Sequence, residues 1–383
     1  MVSGVVKDAK SKKPVANANV GVDGHNIGTI TNADGAFSLT VPDSLANEAI
    51  VISMLGYSNA SLPIAKAAGQ SAIMLERASM LLGEMIVYWG NPDDIIRQAL
   101  RKIPNNYPQT RDRLSVFYRE TIQKGKKYTE VSEAIMGVSK SAYRMRTPGN
   151  DRAQVLKARK IMSQNASDTL AVKITGGPNL SIMLDFVKNP DFFLSETELD
   201  AYELKMEPMV EFDGRPQYAI SIKPVQKLSY PLMQGIVYVD AQELAFTRAE
   251  LDLDLSDKAL AVKTILRKKP AGLRFSLQKV GFTVAYRQGS DGMTYLSYIK
   301  NEMRFKCDWK RRLFASGYTA VAEMVTVDRE VGVADNISRS DAFRSNDAFS
   351  DKALLFWDPD FWKGYNIIEP TESLEKAISR LRK

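Results

Sequence analysis

Along the first 78 residues, hydrophobic positions come in short runs that alternate with polar ones. From Ala36 to Val41, Phe37, Leu39 and Val41 fall on one face and Ser38 and Thr40 on the other, the period of a half-buried strand. Val2–Val6, Asn19–Val22, Gly28–Thr31, Ala36–Val41, Ala49–Met54 and Ala72–Leu75 read as strands in the same way. Between them lie Asp23-Gly24, Asn32-Ala33-Asp34-Gly35 and Gly56, residue types that accept turn dihedrals at low cost. Strands repeating every ~8–12 residues predict a small β-sandwich.

The period then changes. Ile95, Ile96, Ala99, Leu100 and Ile103 form a helical stripe over residues 91–104, with Asn91 as cap, Pro92 in the first turn and Pro104 and Pro108 as stops. From Leu114 to about Val327 it is mostly two again. Strands are expected at Leu114–Gln123, Tyr128–Val138, Leu199–Phe212, Gln217–Lys223, Gly235–Val239, Ala245–Leu253, Val262–Leu266, Arg274–Arg287, Thr294–Lys306 and Leu313–Val327. A helix is expected over Asn179–Lys188, between Gly176-Gly177-Pro178 and Asn189-Pro190. The pattern predicts a curved antiparallel sheet of eight or more strands with a helix on one face. The tail changes character: residues 335–351 are polar, Leu354 to Trp362 is the most aromatic stretch, and Leu374, Ala377, Ile378 and Leu381 give a closing amphipathic helix. The fold class is therefore mainly β, in units 1–78 (sandwich), 79–110 (linker strand and helix), 111–330 (large antiparallel domain) and 331–383 (loop, aromatic segment and helix).

Composition narrows the chemistry. One cysteine, Cys307, and one histidine, His25, exclude a disulfide framework, a Cys-based zinc site and any site needing two histidines. No apolar run approaches the ~20 residues of a membrane-spanning helix. The net charge of +7 is blocked: residues 1–78 are neutral, 111–160 carry thirteen basic and five acidic side chains, 184–260 seven and fifteen, and 263–312 thirteen and three. Alternating blocks predict opposite charges facing one another across strands, and without a basic helix or binding motif they do not predict nucleic acid binding. The first strand begins directly after Met1, so a signal peptide is expected to have been removed ahead of it.

Gly4-Val5-Val6-Lys7-Asp8, Pro14 to Val20, Gly28 to Leu39 and Ile52-Ser53-Met54-Leu55-Gly56-Tyr57 resemble the carboxypeptidase regulatory-like domain. The resemblance implies a seven-stranded transthyretin-like sandwich, of the kind found at the N-terminus of TonB-dependent receptors and other Gram-negative envelope proteins. It concerns the accessory domain and not the zinc peptidase, whose two histidines this chain lacks. Leu82-Gly83-Glu84-Met85-Ile86-Val87 is similar to the apolar strand that follows the domain in such receptors. Phe117 to Glu120, Glu130 to Ala134 and Asp185 to Pro190 resemble envelope proteins with the same first domain. Arg215 to Glu250 is more loosely similar to the open half-barrel of lipoprotein carriers, which implies a concave face able to hold an acyl chain.

Candidate chemistry is sparse. His25, beside Gly24 and Asn26, reads as an exposed turn residue, and Cys307 as a small buried hydrophobe. Glu130 and Glu133 are three apart, so on a strand they point to opposite faces; Glu196 and Glu198 read as a helix or turn start. Gly176-Gly177-Pro178 lacks the Gly-Lys-Ser/Thr end of a phosphate loop. Trp357, Phe361, Trp362 and Tyr365 are read as a clamp across the sheet or as a platform for a sugar or partner surface. Ile182, Met183 and Phe186 are expected to share one apolar side of the 179–188 helix and face the sheet.

These readings converge on a non-catalytic binding or assembly module of the periplasm or outer membrane. It would need no cofactor or metal, and would bind a lipid or glycan on a concave sheet or an outer-membrane protein partner; the alternative is a carboxylate-dependent, glycosidase-like hydrolase. From the histidine count, purified protein is expected to carry no stoichiometric zinc and to show no chelator-sensitive hydrolysis of peptides ending in Lys or Arg. Metal analysis with that assay checks it, and stoichiometric zinc with chelator-sensitive turnover refutes it.

Overall fold

The computed structural model describes residues 1–67, 72–78, 90–145, 150–165, 168, 170, 174–190, 194–266, 270–310, 314–358 and 364–381. Seven short strands make the N-terminal sandwich: β1 (Val2–Asp8), β2 (Asn19–Val22), β3 (Gly28–Ile30), β4 (Ala36–Leu39), β5 (Ala49–Ser53), β6 (Ala60–Pro63) and β7 (Ala72–Leu75). One sheet has the order β4-β1-β7 and the other β3-β2-β5-β6, with β1 and β7 parallel. Helix α1 (Ile64–Ala67) follows β6, a strand that the alternation did not pick out because it is four residues long and ends in proline. Inward-facing Val6, Val20, Phe37, Leu39, Ile50 and Ile52 give this domain its own core. The Asn32–Gly35 turn requires its glycine: φ is +75°, and a Cβ there would stand 2.4 Å from the carbonyl oxygen of Val6.

Asn91 accepts from the Asp93 amide and starts α2 (Pro92–Arg101). Pro104 does not stop the helical run; it lies in the first turn of α3 (Ile103–Asn106), where a missing N–H costs nothing. Ten strands then form one antiparallel sheet: β8 (Asp112–Lys124), β9 (Lys127–Lys140), β10 (Arg152–Met162), β11 (Tyr202–Phe212), β12 (Arg215–Pro224), β13 (Met233–Asp240), β14 (Phe246–Leu253), β15 (Leu273–Gln288), β16 (Thr294–Trp309) and β17 (Ser316–Glu330). Their order is β10-β9-β8-β17-β16-β15-β14-β13-β12-β11, so β8 and β17 join two meanders. The remaining helices are α4 (Gly177–Met183), α5 (Lys258–Ile265), α6 (Phe349–Lys352) and α7 (Glu372–Leu381).

Three expectations are corrected here. Val262–Leu266 is not a strand but the second half of α5, because the Asp257 side chain accepts from the Leu260 amide and caps a helix. Leu199–Ala201 is a 3-10 turn ahead of β11. The edge strand β10 was not anticipated: its alternation is masked by basic residues and broken by a bulge at Leu156. The expected strand at 82–87 lies outside the described residues.

The inner face of the curled sheet packs in one cluster with α2, α3 and the chain after α4, and every strand from β8 to β17 contributes to it. The outer face is covered twice. Ile30 of β3 and Ile368 of the tail pack on Phe117, Ile135, Tyr298 and Val325. Leu374 and Ile378 of α7 pack on Val131 and Ile161. Polar links fix the two domains: the Arg287 guanidinium donates to the Asn26 carbonyl (2.6 Å), and Asn26 Oδ1 accepts from the Ser290 amide (3.1 Å). A Cβ on Gly28 would lie 2.8 Å from the Val20 carbonyl oxygen and 2.4 Å from the Arg287 guanidinium, so this close approach also requires glycine.

Asn32 secures the tail between the domains. Its Oδ1 accepts from the Asp34 and Ala36 amides, and its Nδ2 donates to the Glu369 and Pro370 carbonyls at 3.1 Å each. At about 0.5–1.5 kcal/mol per net hydrogen bond, Asn32→Ala is expected to lower unfolding free energy by about 2–4 kcal/mol. Urea denaturation checks it; a loss below about 0.5 kcal/mol would show that the tail is not held there.

Candidate functional site

Four polar or aromatic groupings stand out from the apolar packing, all on β8–β10 and the chain packed against them. Register places Glu120 opposite Ser132 and Ile122 opposite Glu130, while Lys160 lies opposite Ser132 from the other side. Glu120, Glu130 and Lys160 therefore gather on the inner face within cross-strand reach. Lys160 Nζ lies 3.8 Å from Glu130 Oε2, and the Tyr118 hydroxyl donates to Glu120 Oε1 at 2.6 Å. Burial raises the Glu120 carboxyl to about 7, against the Tyr118 hydrogen bond and with help from the Glu130 charge. Burial also raises Glu130, offset chiefly by Lys160 and by a hydrogen bond from Ser350 of α6. A carboxyl that titrates near neutrality beside a second carboxyl and an ammonium can exchange a proton with a bound group.

Glu133 points the opposite way, as its spacing from Glu130 requires. It lies fully buried on the outer face, where Arg119 Nε reaches Oε1 at 2.7 Å and Arg159 Nε reaches Oε2 at 2.6 Å. Arg119 also donates to the Ile368 carbonyl at 2.7 Å, tying the tail to the sheet. This is a structural triad: each charge is paired, and no face of it is open to a substrate.

At the other end of the same strands, Lys140 bridges Asp151 and Asp185 at 2.7 Å each. Asp185 also accepts from the hydroxyls of Tyr286 (2.7 Å) and Tyr143 (3.0 Å). Lys188 donates to the Ser141 and Ala142 carbonyls and to Ser141 Oγ. Burial pulls the Lys188 ammonium down to about 8, while the two aspartates overcome burial and hold Lys140 above its ordinary range. Two cations and two anions balance here, so the network pins the chain after α4 to the ends of β9 and β15. Asp185 and Lys188 belong to the Asp185–Pro190 motif, and this pinning is what the motif does in the fold.

The predicted contact residues are dispersed. Ile182 and Phe186 are buried in the inner core, Phe186 edge-on to Phe246 (5.2 Å between centroids) and Tyr286 (5.6 Å). Met183 does not join them: α4 ends there, and the side chain turns outward, 39% exposed, because neighbouring helix positions diverge by about 100°. Trp357 and Tyr365 are at the surface, and Phe361 and Trp362 lie outside the described residues. His25 is exposed in its turn; Cys307 is buried, which raises its thiol. Glu196 and Glu198 lie at a turn start, Glu198 as the N-cap residue of the 3-10 turn Leu199–Ala201 but without a side-chain cap bond: Glu196 accepts from Arg101 (2.9 Å) and Glu198 from the Tyr230 hydroxyl.

The tail lies along the edge strand. Ala353–Phe356 is a 3-10 turn, Trp357 forms a parallel bridge to Ala158, and Lys157 Nζ meets Asp358 at 2.7 Å. Elsewhere, the described residues form a water-sized slot of about 10 Å³ beside Asp240 and Tyr286 and an open hollow of about 370 Å³ over β11–β14, lined mostly by charged and polar groups. Among the described residues, no three His, Cys, Asp or Glu groups converge as metal ligands, and no helix is long and apolar enough to cross a membrane. Sequence reasoning missed Glu120 as the partner of Glu130. The ten-residue separation is typical of hairpin neighbours, and that was the available clue.

Residues 2–87 match the model of the CarboxypepD_reg-like domain. Over 86 residues the chain is 38% identical to the TonB-dependent receptor SusC of Bacteroides thetaiotaomicron, a stretch covering 22% of this chain and 8% of that receptor. Among solved structures, it is similar to an outer membrane lipoprotein-sorting protein domain from Vibrio parahaemolyticus (12% identity, 69% of this chain and 97% of that one, TM-score 0.26). A DUF1329 family protein from Desulfovibrio piger is similar at 12% identity over 66% of this chain and 100% of that one (TM-score 0.28). The N-terminal sandwich is thus a carboxypeptidase regulatory-like domain, here joined to a large ten-stranded antiparallel sheet.

Proposed function

We propose that the protein is a non-catalytic binding module of the cell envelope, which engages its partner at the surface of β10 rather than inside the curled sheet. The observation that carries this reading is the filling of the inner face. Ile182, Leu184, Phe186 and Val187 occupy it, each at most 5% exposed, where a carrier would leave an apolar hollow. The sheet therefore acts as a scaffold that holds the N-terminal domain and the tail in fixed relation. The envelope location is inferred from the N-terminal domain's likeness to the matching stretch of a TonB-dependent receptor. Native mass spectrometry of gently purified full chain is expected to give the bare mass. A stoichiometric adduct that organic extraction identifies as lipid would replace this reading with that of a carrier.

One observation favours a second reading, a carboxylate-dependent hydrolase: the Glu120 carboxyl titrating near 7 beside Glu130. Its environment can be tested without a substrate. A folded-state value above the ordinary 4.5 contributes stability that is complete below about 4.5 and is lost as pH rises through about 7. Wild-type stability is therefore expected to fall across that window, and Glu120→Gln, which mimics the protonated form, should flatten the fall. Denaturation midpoints at stepped pH check it. Parallel curves for the two proteins would show an ordinary carboxyl and remove the motive for the hydrolase.

A further inference from the structure

Elsewhere on this sheet buried cations meet carboxylates: Arg119 and Arg159 at Glu133, Lys140 at Asp151 and Asp185, Arg329 at Asp112 and Asp291. Three half-buried arginines at one end of β8–β10 do not. After β17 the chain crosses that end as a strap, which opens with the Val333 amide donating to the Arg111 carbonyl at 2.8 Å. Arg111 Nη1 then donates to the Ala334 carbonyl (3.3 Å), Arg113 Nη2 to that of Asp335 (3.4 Å) and Arg152 Nη1 to that of Ile337 (2.5 Å). Four consecutive residues span at most about 11 Å, so three positive charges share that length. Among the described residues, no carboxylate forms an ion pair with any of the three. Glu330, opposite Arg113, and Asp335, in the strap, are exposed and make no such pair.

Register adds a hydroxyl between the cations. Ser139 of β9 lies directly opposite Arg113 on β8 and Arg152 on β10, and all three point to the outer face, as Glu133 does six residues earlier. Ser139 is fully buried, and its Oγ has no hydrogen-bond partner. The Nε atoms of Arg111 and Arg113 are also buried without partners. Such unmade hydrogen bonds cost folding energy and are uncommon in native proteins. Here three of them gather with three unneutralised guanidiniums, and every one of these groups can donate. The Asn336 amide, between the Asp335 and Ile337 anchors, has its Oδ1 buried and unpartnered; turned over, it would offer its NH2 group as well. Convergent donors with surplus positive charge match an anion that carries several oxygens. A phosphate group, with up to four oxygens and two charges, uses this set more fully than a carboxylate, and guanidinium forks suit its geometry.

We propose that Arg111, Arg113, Arg152 and Ser139 form a binding site for a phosphate group where the 333–337 strap crosses the sheet. This site goes beyond the surface-binding reading and does not rest on it. Isothermal titration of the full chain with inorganic phosphate is expected to show saturable one-to-one binding, with a dissociation constant below about 1 mM. Acetate at equal ionic strength should bind at least about tenfold more weakly. Glycerol 3-phosphate separates the sources: affinity equal to that of phosphate assigns the site to a phosphomonoester, and weaker affinity assigns it to the free ion. Ser139→Ala is the decisive variant, because it removes a hydroxyl that has no partner inside the protein. Its urea midpoint should match or exceed that of wild type, while phosphate affinity falls about three- to tenfold. Arg113→Gln/Arg152→Gln should lose at least about tenfold. Arg274→Gln, at an exposed arginine near the start of β15, should bind as wild type does. Absence of saturable phosphate binding overturns the proposal, and so does acetate bound as tightly as phosphate. Wild-type affinity in Ser139→Ala or in the arginine double variant also overturns it, and would leave the three arginines as anchors for the strap alone.

Discussion

The pairing of Asp112–Lys124 with Ser316–Glu330 is the contact on which the rest of the structure depends. It joins strands about 200 residues apart, and without it the chain would hold two separate meanders, β8–β10 and β11–β17, each with an exposed central edge. Closing so long a loop is entropically costly and must be repaid by what the pairing assembles. At one end of the pair, Arg329 is fully buried. It contacts Asp112 Oδ2 at 2.7 Å and both Asp291 carboxylate oxygens at 2.8 Å, while its own carbonyl accepts from Asn26. One residue thus couples β8, β17 and the β15–β16 turn through its side chain and the N-terminal domain through its carbonyl.

The same strategy recurs wherever the sheet buries charge. Glu133 with Arg119 and Arg159, and Lys140 with Asp151 and Asp185, are each paired completely, which is the condition under which a buried ion is tolerated. Against apolar replacements of equal volume such groups gain little net energy, but they restrict which strands and loops fit together. Removing one member would leave a buried charge uncompensated at a cost of about 3–5 kcal/mol. Both networks clamp chain that lacks long regular structure: the tail near Ile368 and the segment after α4.

Legibility in the sequence follows the range of the interactions. Six of the seven sandwich strands, all but β6, were readable to within a residue or two, because alternation and the Asn32–Gly35 turn are local; Asn19–Val22 and Ala72–Leu75 coincide with the observed limits. The long hairpin strands β15 and β16 were readable for the same reason. Val262–Leu266 was misread because β-branched residues weigh toward strand, while one cap at Asp257 decided for helix. The inner-face cluster was hidden by register: Glu120 and Glu130 meet only because the β8–β9 ladder shifts between Ile122 and Gln123. The Lys140–Asp185 contact spans 45 residues and has no sequence signature. The charge blocks were visible, but their positions were not. The basic β15 meets the acidic β14 through Lys279 and Asp252 at 3.6 Å, whereas in the basic β8–β10 sector Lys140 and Lys157 meet acids outside the sheet, Asp185 and Asp358, both at 2.7 Å.

The Lys157–Asp358 pair bears on how the sheet ends. An edge strand exposes unpaired backbone groups and invites pairing with other chains. Here the bulge at Leu156 breaks the flatness of β10, and the Ala353–Trp357 segment lies along it. A cover made of polar residues would suffice to block the edge. This one places Leu354 and Leu355 outward while Ala353 and Phe349 hold it from within, both fully buried. Edge protection alone does not call for outward leucines, which expose apolar surface without adding to the core. The cover therefore does two things at once, closing the sheet against unwanted strands and leaving an apolar face outward.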